Sequence, residues 1–188
     1  PVSPPVLQVG AELLQGKSEK ELCFVIAQQL IYLHRHHIMA GYFSRQELES
    51  FFIAIQGVCD PSFKPEAVLG DGVSPEVLKG LADLQTSIEK TATPKQLEQL
   101  RQAFSSYASQ SRPQSVENWL REVELSANHA AILASDDVEL AGRILKETSS
   151  AESVLTTAER LKDLVLFATS NRYSNLRESL GLTIEGDS

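Results

Sequence analysis

Side chains able to bind a metal or act as a nucleophile are few in this chain, and their spacing limits what they can do. Three of the four histidines, His34, His36 and His37, crowd into one short stretch, and the fourth, His129, stands far along the sequence. A preformed two-histidine metal site on a helix uses positions i and i+4, so that both imidazoles reach one ion. Neither 34/37 nor 36/37 has that spacing. Imidazoles at a helix C-terminus interact well with the helix dipole, so a capping or surface role is the expectation. The alternative is a site rebuilt in the fold from this cluster, His129 and the carboxylate of Glu124.

Nucleophilic catalysis has little to work with. No serine sits in Gly-x-Ser-x-Gly, and Cys23 lies inside an apolar run, where a thiolate is disfavoured. Cys59 falls at a helix end. Two cysteines so far apart form neither a disulfide framework nor a CxxC zinc site; they read as reduced thiols, which points to the cytoplasm. Gly70-Asp71-Gly72 has no preceding strand and no Lys-Ser/Thr pair, and reads as a turn rather than a phosphate loop.

Two helical faces carry the remaining polar candidates. On the first long helix, positions 21, 25, 28, 32 and 35/36 share a face that bears Glu21, Val25, Gln28 and Tyr32. By itself this pattern reads as the wet side of an amphipathic helix. On a later helix Glu117, Arg121, Glu124 and Asn128 align, while Ser126, Ala127, Ala130, Ala131 and Ala134 allow another helix to come close.

The elements that must position these residues announce themselves by their starts. Ser18-x-x-Glu21 and Ser44-x-x-Glu47 are capping boxes, in which hydroxyl and carboxylate satisfy orphan amides reciprocally. Ser74-Pro75 and Thr93-Pro94 pair an N-cap residue with proline at the first helical position. Ser115 and Thr157 precede further periodic runs. Helices are expected at 18–37, 44–58, 75–90, 94–109, 115–134, 137–147 and 157–180, the last broken near Ser170-Asn171. Val6-Leu7-Gln8-Val9 reads as a short edge strand, Leu182-Thr183-Ile184 as a possible terminal strand, and 60–73 as a loop. No repeat of solenoid length is present.

Composition bounds the function. The chain of 188 residues is long enough for one domain with a real core. Its net charge of -8 argues against nucleic acid as a partner, because phosphate binding needs a basic patch. The longest apolar run of the first long helix, Cys23 to Ala27, is far too short for a membrane span. No basic segment followed by an apolar one opens the chain, and its Pro-rich start suggests a piece of a longer polypeptide.

Two of these regions resemble a known family. Glu124-Leu-Ser-Ala127-Asn128 is similar to the Glu-x-x-Ala-Asp of gluzincins of the CAAX-prenyl-protease and HtpX type, whose glutamate is the third zinc ligand, with Asn here in place of Asp. The lead-in from Pro5 to Leu14, followed by Glu21-Leu22 and Val25-Ile26-Ala27, looks like that family's edge strand, turn and active-site helix. The family's His-Glu-x-x-His would fall on Gln28 to Tyr32, where Gln28, Gln29 and Tyr32 replace both histidines and the general base. A carboxamide is a poor zinc ligand and no base, and a neutral phenol is no better.

Over more of its length the chain resembles a domain of uncharacterised bacterial tetratricopeptide-repeat proteins. That resemblance rests on Gly16-Lys17-Ser18, Glu21-Leu22, Val123 to Asn128, Leu161 to Phe167 and Leu176 to Gly181. It implies a C-terminal, degenerate peptidase-like domain. The expected fold is mainly α: a compact multi-helix domain over 1–188 with a short N-terminal edge strand and a degenerate zincin-like helical core. The expected function is a non-catalytic, cytoplasmic protein-interaction or scaffold module. It would have no cofactor and no metal, and Gln28, Gln29, Tyr32, Glu124 and Asn128 would be vestigial active-site positions. A metal-dependent hydrolase with relocated ligands and a purely structural helical domain are the alternatives. The structural alternative expects Gln28, Tyr32, Glu124 and Asn128 to be scattered.

Overall fold

The computed structural model describes residues 6–70, 72–110, 115–148 and 153–182. In chain order the helices are α1 (Ala11–Leu14), α2 (Glu19–Tyr32), α3 (Ile38–Tyr42), α4 (Arg45–Cys59), α5 (Glu66–Leu69), α6 (Pro75–Thr91), α7 (Pro94–Ala108), α8 (Val116–Ser135), α9 (Val138–Glu147), α10 (Thr157–Ala168) and α11 (Asn171–Ser179). The chain is mainly α, and no strand occurs among the described residues. The edge strand expected at Val6–Val9 does not form: residues 6–10 have no regular structure and a single helical turn follows. An isolated four-residue strand has no neighbour to take its amides and carbonyls, so alternation alone does not hold it extended. Of the second expected strand, Thr183 and Ile184 lie outside the described residues.

Caps fix most helix starts. Ser18 and Ser44 each accept from the amide three residues on, and the Glu21 and Glu47 carboxylates accept from the cap amides at 2.7 Å. Thr93 does the same with Gln96, and Ser74 caps α6 with proline following. The last long run starts at Thr157 as expected, and Thr156 is its N-cap, because Glu159 stands three residues after it and closes the box. That run breaks where expected. α10 ends at Ala168, and Ser170 caps α11 through the Tyr173 amide.

The chain divides into two compact units. Unit 1 comprises Pro1–Tyr42 and Trp119–Ser188, and unit 2 comprises Phe43–Asn118. In unit 2, α4 packs on α6 and α7, burying Leu48, Ile53, Ala54 and Val58 of α4 with Leu81 of α6. At Gly57 of α4 the Gln85 carboxamide of α6 occupies the space a Cβ would take, with Nε2 1.9 Å from that position. The adjacent Phe51 and Phe52 are both half-buried; their rings meet Phe43 and Tyr107 edge-on, at 5.4 and 5.1 Å between centroids.

In unit 1 the core is built from Phe24 of α2, Ala131 and Ile132 of α8, Leu140, Ala141, Ile144 and Leu145 of α9, Leu164 and Phe167 of α10 and Tyr173 of α11. Of the small residues of α8, Ala127 and Ala131 are fully buried, Ser126 and Ala130 are half-buried and Ala134 is exposed. Full burial of a side chain the size of Leu145 or Leu164 contributes about 1.5–3 kcal/mol, so this cluster dominates the stability of the unit.

Candidate functional site

The polar faces of α2 and α8 meet inside unit 1. Gln28 Nε2 donates to Asn128 Oδ1 at 2.8 Å. Asn128 is almost completely buried, and its Nδ2 has no hydrogen-bond partner. One turn after Gln28 stands Tyr32, and one turn before Asn128 stands Glu124. Burial pushes the Tyr32 phenol above its usual range; the nearby Glu124 carboxylate adds to that shift and Arg160 opposes it. Gly41 of α3 closes over the Tyr32 ring, where a Cβ would come within 3.2 Å of Tyr32 Cβ. Four of the five positions singled out by sequence, Gln28, Tyr32, Glu124 and Asn128, are therefore neighbours. Gln29 is exposed and takes no part.

The face expected to be wet is half-buried at Gln28 and Tyr32. A sequence signal for this exists: Phe24, the most deeply buried residue of α2, is four positions before Gln28 and so lies on the same side of the helix.

Glu124 is held from two sides. Ser153 Oγ lies 2.7 Å from Glu124 Oε1 and 2.7 Å from the Leu155 carbonyl, so one hydroxyl proton serves both acceptors. Arg160 Nε stands 3.7 Å from Glu124 Oε1, with the two side chains only 5% and 14% exposed. That separation is an ion pair but too long for a hydrogen bond, and Arg160 Nε is otherwise without a partner. The Arg160 Nη2 donates to the Leu145 carbonyl and to Thr157 Oγ1 at 3.4 and 3.3 Å. Sequence reasoning missed both Ser153 and Arg160. Arg160 carried a flag: it falls in register with Leu164 and Phe167, which places a charge on the buried stripe of α10.

His129 is engaged elsewhere. Its Nε2 lies 2.7 Å from Asp163 Oδ2, and its ring stacks on Phe167 at 3.8 Å between centroids and 15° between planes. It thus ties α8 to α10. The alternative of a metal site rebuilt from Glu124, His129 and the 34–37 cluster is not assembled: among the described residues no three His, Cys, Asp or Glu side chains are grouped to hold an ion.

The histidine cluster sits on a turn. α2 stops at Tyr32, five residues short of the expected end, and Leu33 caps it through amide bonds to the Leu30 and Ile31 carbonyls. The amides of His37 and Ile38 then both bond to the His34 carbonyl, at 2.8 and 2.9 Å, which starts α3.

The layer of Gln28, Tyr32, Glu124, Asn128, Ser153 and Arg160 is partly buried, with Asn128 and Arg160 its most enclosed members. Its carboxylate is engaged by a hydroxyl and a guanidinium, and its amides pair with each other. No helix among the described residues is long and apolar enough to cross a membrane. No family model, no curated protein and no solved structure matches the chain.

Proposed function

We propose that this chain is a non-catalytic, peptidase-derived helical module that works by binding another protein within a larger bacterial polypeptide. The observation that carries this reading is the fate of Glu124. The residue that resembles a zinc-binding glutamate is bonded to Ser153 and paired with Arg160. Opposite it, Gln28 and Tyr32 occupy the positions where the peptidase pattern has histidines. The meeting of α2 and α8 at these residues supports descent from a frame in which the same two helices held a metal. It counts against the purely structural alternative, which expects the four positions to be scattered.

Binding is the use left to such a frame. Leu30, Met39 and Tyr42 of α2 and α3 are large apolar side chains in unit 1 that remain 40–71% exposed. The test has two arms. With zinc supplied, the protein should cleave no member of a diverse peptide library; cleavage abolished by Glu124→Ala would overturn the reading. The intact parent protein, cross-linked in its own cells, should capture a protein that a Leu30→Asp, Tyr42→Asp variant loses. Capture unchanged by that variant would remove this surface from the reading.

A further inference from the structure

We propose that the stretch from Leu30 to Tyr42 docks an acidic amphipathic segment of a partner protein. The inference rests on the protein-binding reading above and names the chemistry of the partner. Charge patterning carries it. The whole chain has a net charge of -8, yet residues 22–46 hold no aspartate or glutamate, and no other stretch as long is free of acid. In the middle of this stretch stand His34, Arg35 and His36, all exposed. Glu124, the carboxylate near Tyr32, has a side chain only 14% exposed and pairs inward with Arg160, so it does not neutralise them.

Arg35 pairs with no carboxylate among the described residues. Its Nε donates to His36 Nε2 at 3.0 Å, and that bond leaves both terminal amino groups as a fork that fits a carboxylate. Because His36 accepts through Nε2, its neutral ring carries the proton on Nδ1, a second donor for an acidic side chain. Apolar anchors flank these donors. Leu30 is 50% exposed before the turn, and Met39 and Tyr42, one helical turn apart on α3, are 40% and 71% exposed after it. Other occupants fit less well. An anionic membrane surface is recognised by clusters of roughly 4–8 lysines and arginines, and Arg35 stands alone between Leu30 and Tyr42. A two-fold contact of this patch with a second copy would set Arg35 against Arg35.

Selection from a synthetic library of amphipathic peptides, in which acidic and apolar content vary independently, tests the surface. Selected peptides should be enriched in Asp or Glu beside Leu, Phe or Trp. Their affinity, read by fluorescence anisotropy, should weaken about tenfold or more with Arg35→Glu, because like charges then face each other across the contact. Leu30→Asp, Tyr42→Asp should weaken it comparably, and added salt should weaken it too. Lys162→Glu, which reverses an exposed cation on α10, should leave it unchanged. The proposal is overturned if no peptide is selected, if acidic residues are not enriched, or if the protein binds only phosphatidylserine vesicles. Affinity that Arg35→Glu leaves intact, with native circular dichroism, overturns it as well. A parent protein that loses its cross-linked partner with Leu30→Asp, Tyr42→Asp but not with Arg35→Glu overturns the acidic partner and leaves the protein-binding reading standing. Capture that neither variant changes removes this surface from both.

Discussion

The Glu124–Arg160 pair is the most consequential contact at the scale of single residues. A charge on each of two largely buried side chains costs several kcal/mol in lost hydration, which the partner and their hydrogen bonds offset. Arg160 also reaches the Leu145 carbonyl, so it links α10 to the end of α9 as well as to α8. Arg160→Met keeps most of the volume while leaving Glu124 with Ser153 alone. It should destabilise the protein by about 3 kcal/mol in urea denaturation. Adding Glu124→Gln should recover a large part of that loss, because the uncompensated charge disappears. Two losses that simply add would mean that the residues do not act as a pair. The same logic explains why Gln28 and Asn128 face each other: buried amides satisfy one another without any charge, although Asn128 Nδ2 is left over.

At the scale of elements, the turn between α8 and α9 shows how a strained residue is kept in place. Asp136 has φ of 50°, the left-handed region that a non-glycine residue enters at a cost. Tyr173 donates to its Oδ1 at 2.5 Å, and Arg177 pairs with Oδ2 at 2.9 Å while also donating to the Leu133 carbonyl at 2.9 Å. α11 therefore clamps the end of α8. Burial first, and then the hydrogen bond to Asp136, push the Tyr173 phenol up to about 12. The phenol is thus harder to ionise folded than unfolded, where it titrates near 10. Its contribution is complete below pH 10 and is lost as the pH rises from about 10 to about 12. The melting temperature should fall over that window, and Tyr173→Phe should lower it at neutral pH while flattening the alkaline fall. An equally steep fall in Tyr173→Phe would assign the transition to other tyrosines.

These elements were legible to different degrees. Starts were clear because Ser18, Ser44, Ser74 and Thr93 are chemically distinct caps, and each caps as expected. The end of α2 was not, since no glycine or proline marks Leu33 and the apolar period runs on through it. The short α5 was hidden in a stretch whose prolines and glycines read as loop. At the site, the alignment of Gln28 with Tyr32 and of Glu124 with Asn128 was readable from helical period alone. That those faces meet, and that Ser153 and Arg160 join them, depends on tertiary packing, which periodicity does not encode. Linear spacing keeps the three histidines apart on a helix, and their rings come together because the backbone turns there.

At the scale of the whole molecule, each unit encloses its own apolar side chains. Leu145 is fully buried in unit 1 among α9, α8 and α10 residues, and Leu81 is nearly so in unit 2 against α4. Truncating either to alanine removes its transfer energy and leaves a cavity, at about 2–5 kcal/mol. What differs is where that loss is felt. Local opening follows the contacts that an element makes, so amide protection reports the stability of the unit holding the amide. Leu145→Ala should therefore speed hydrogen exchange in α9 and α10 well before it affects α4 and α6, and Leu81→Ala should do the reverse. Exchange that accelerates equally in both units after either substitution would mark the chain as one cooperative body, as its sequence first suggests.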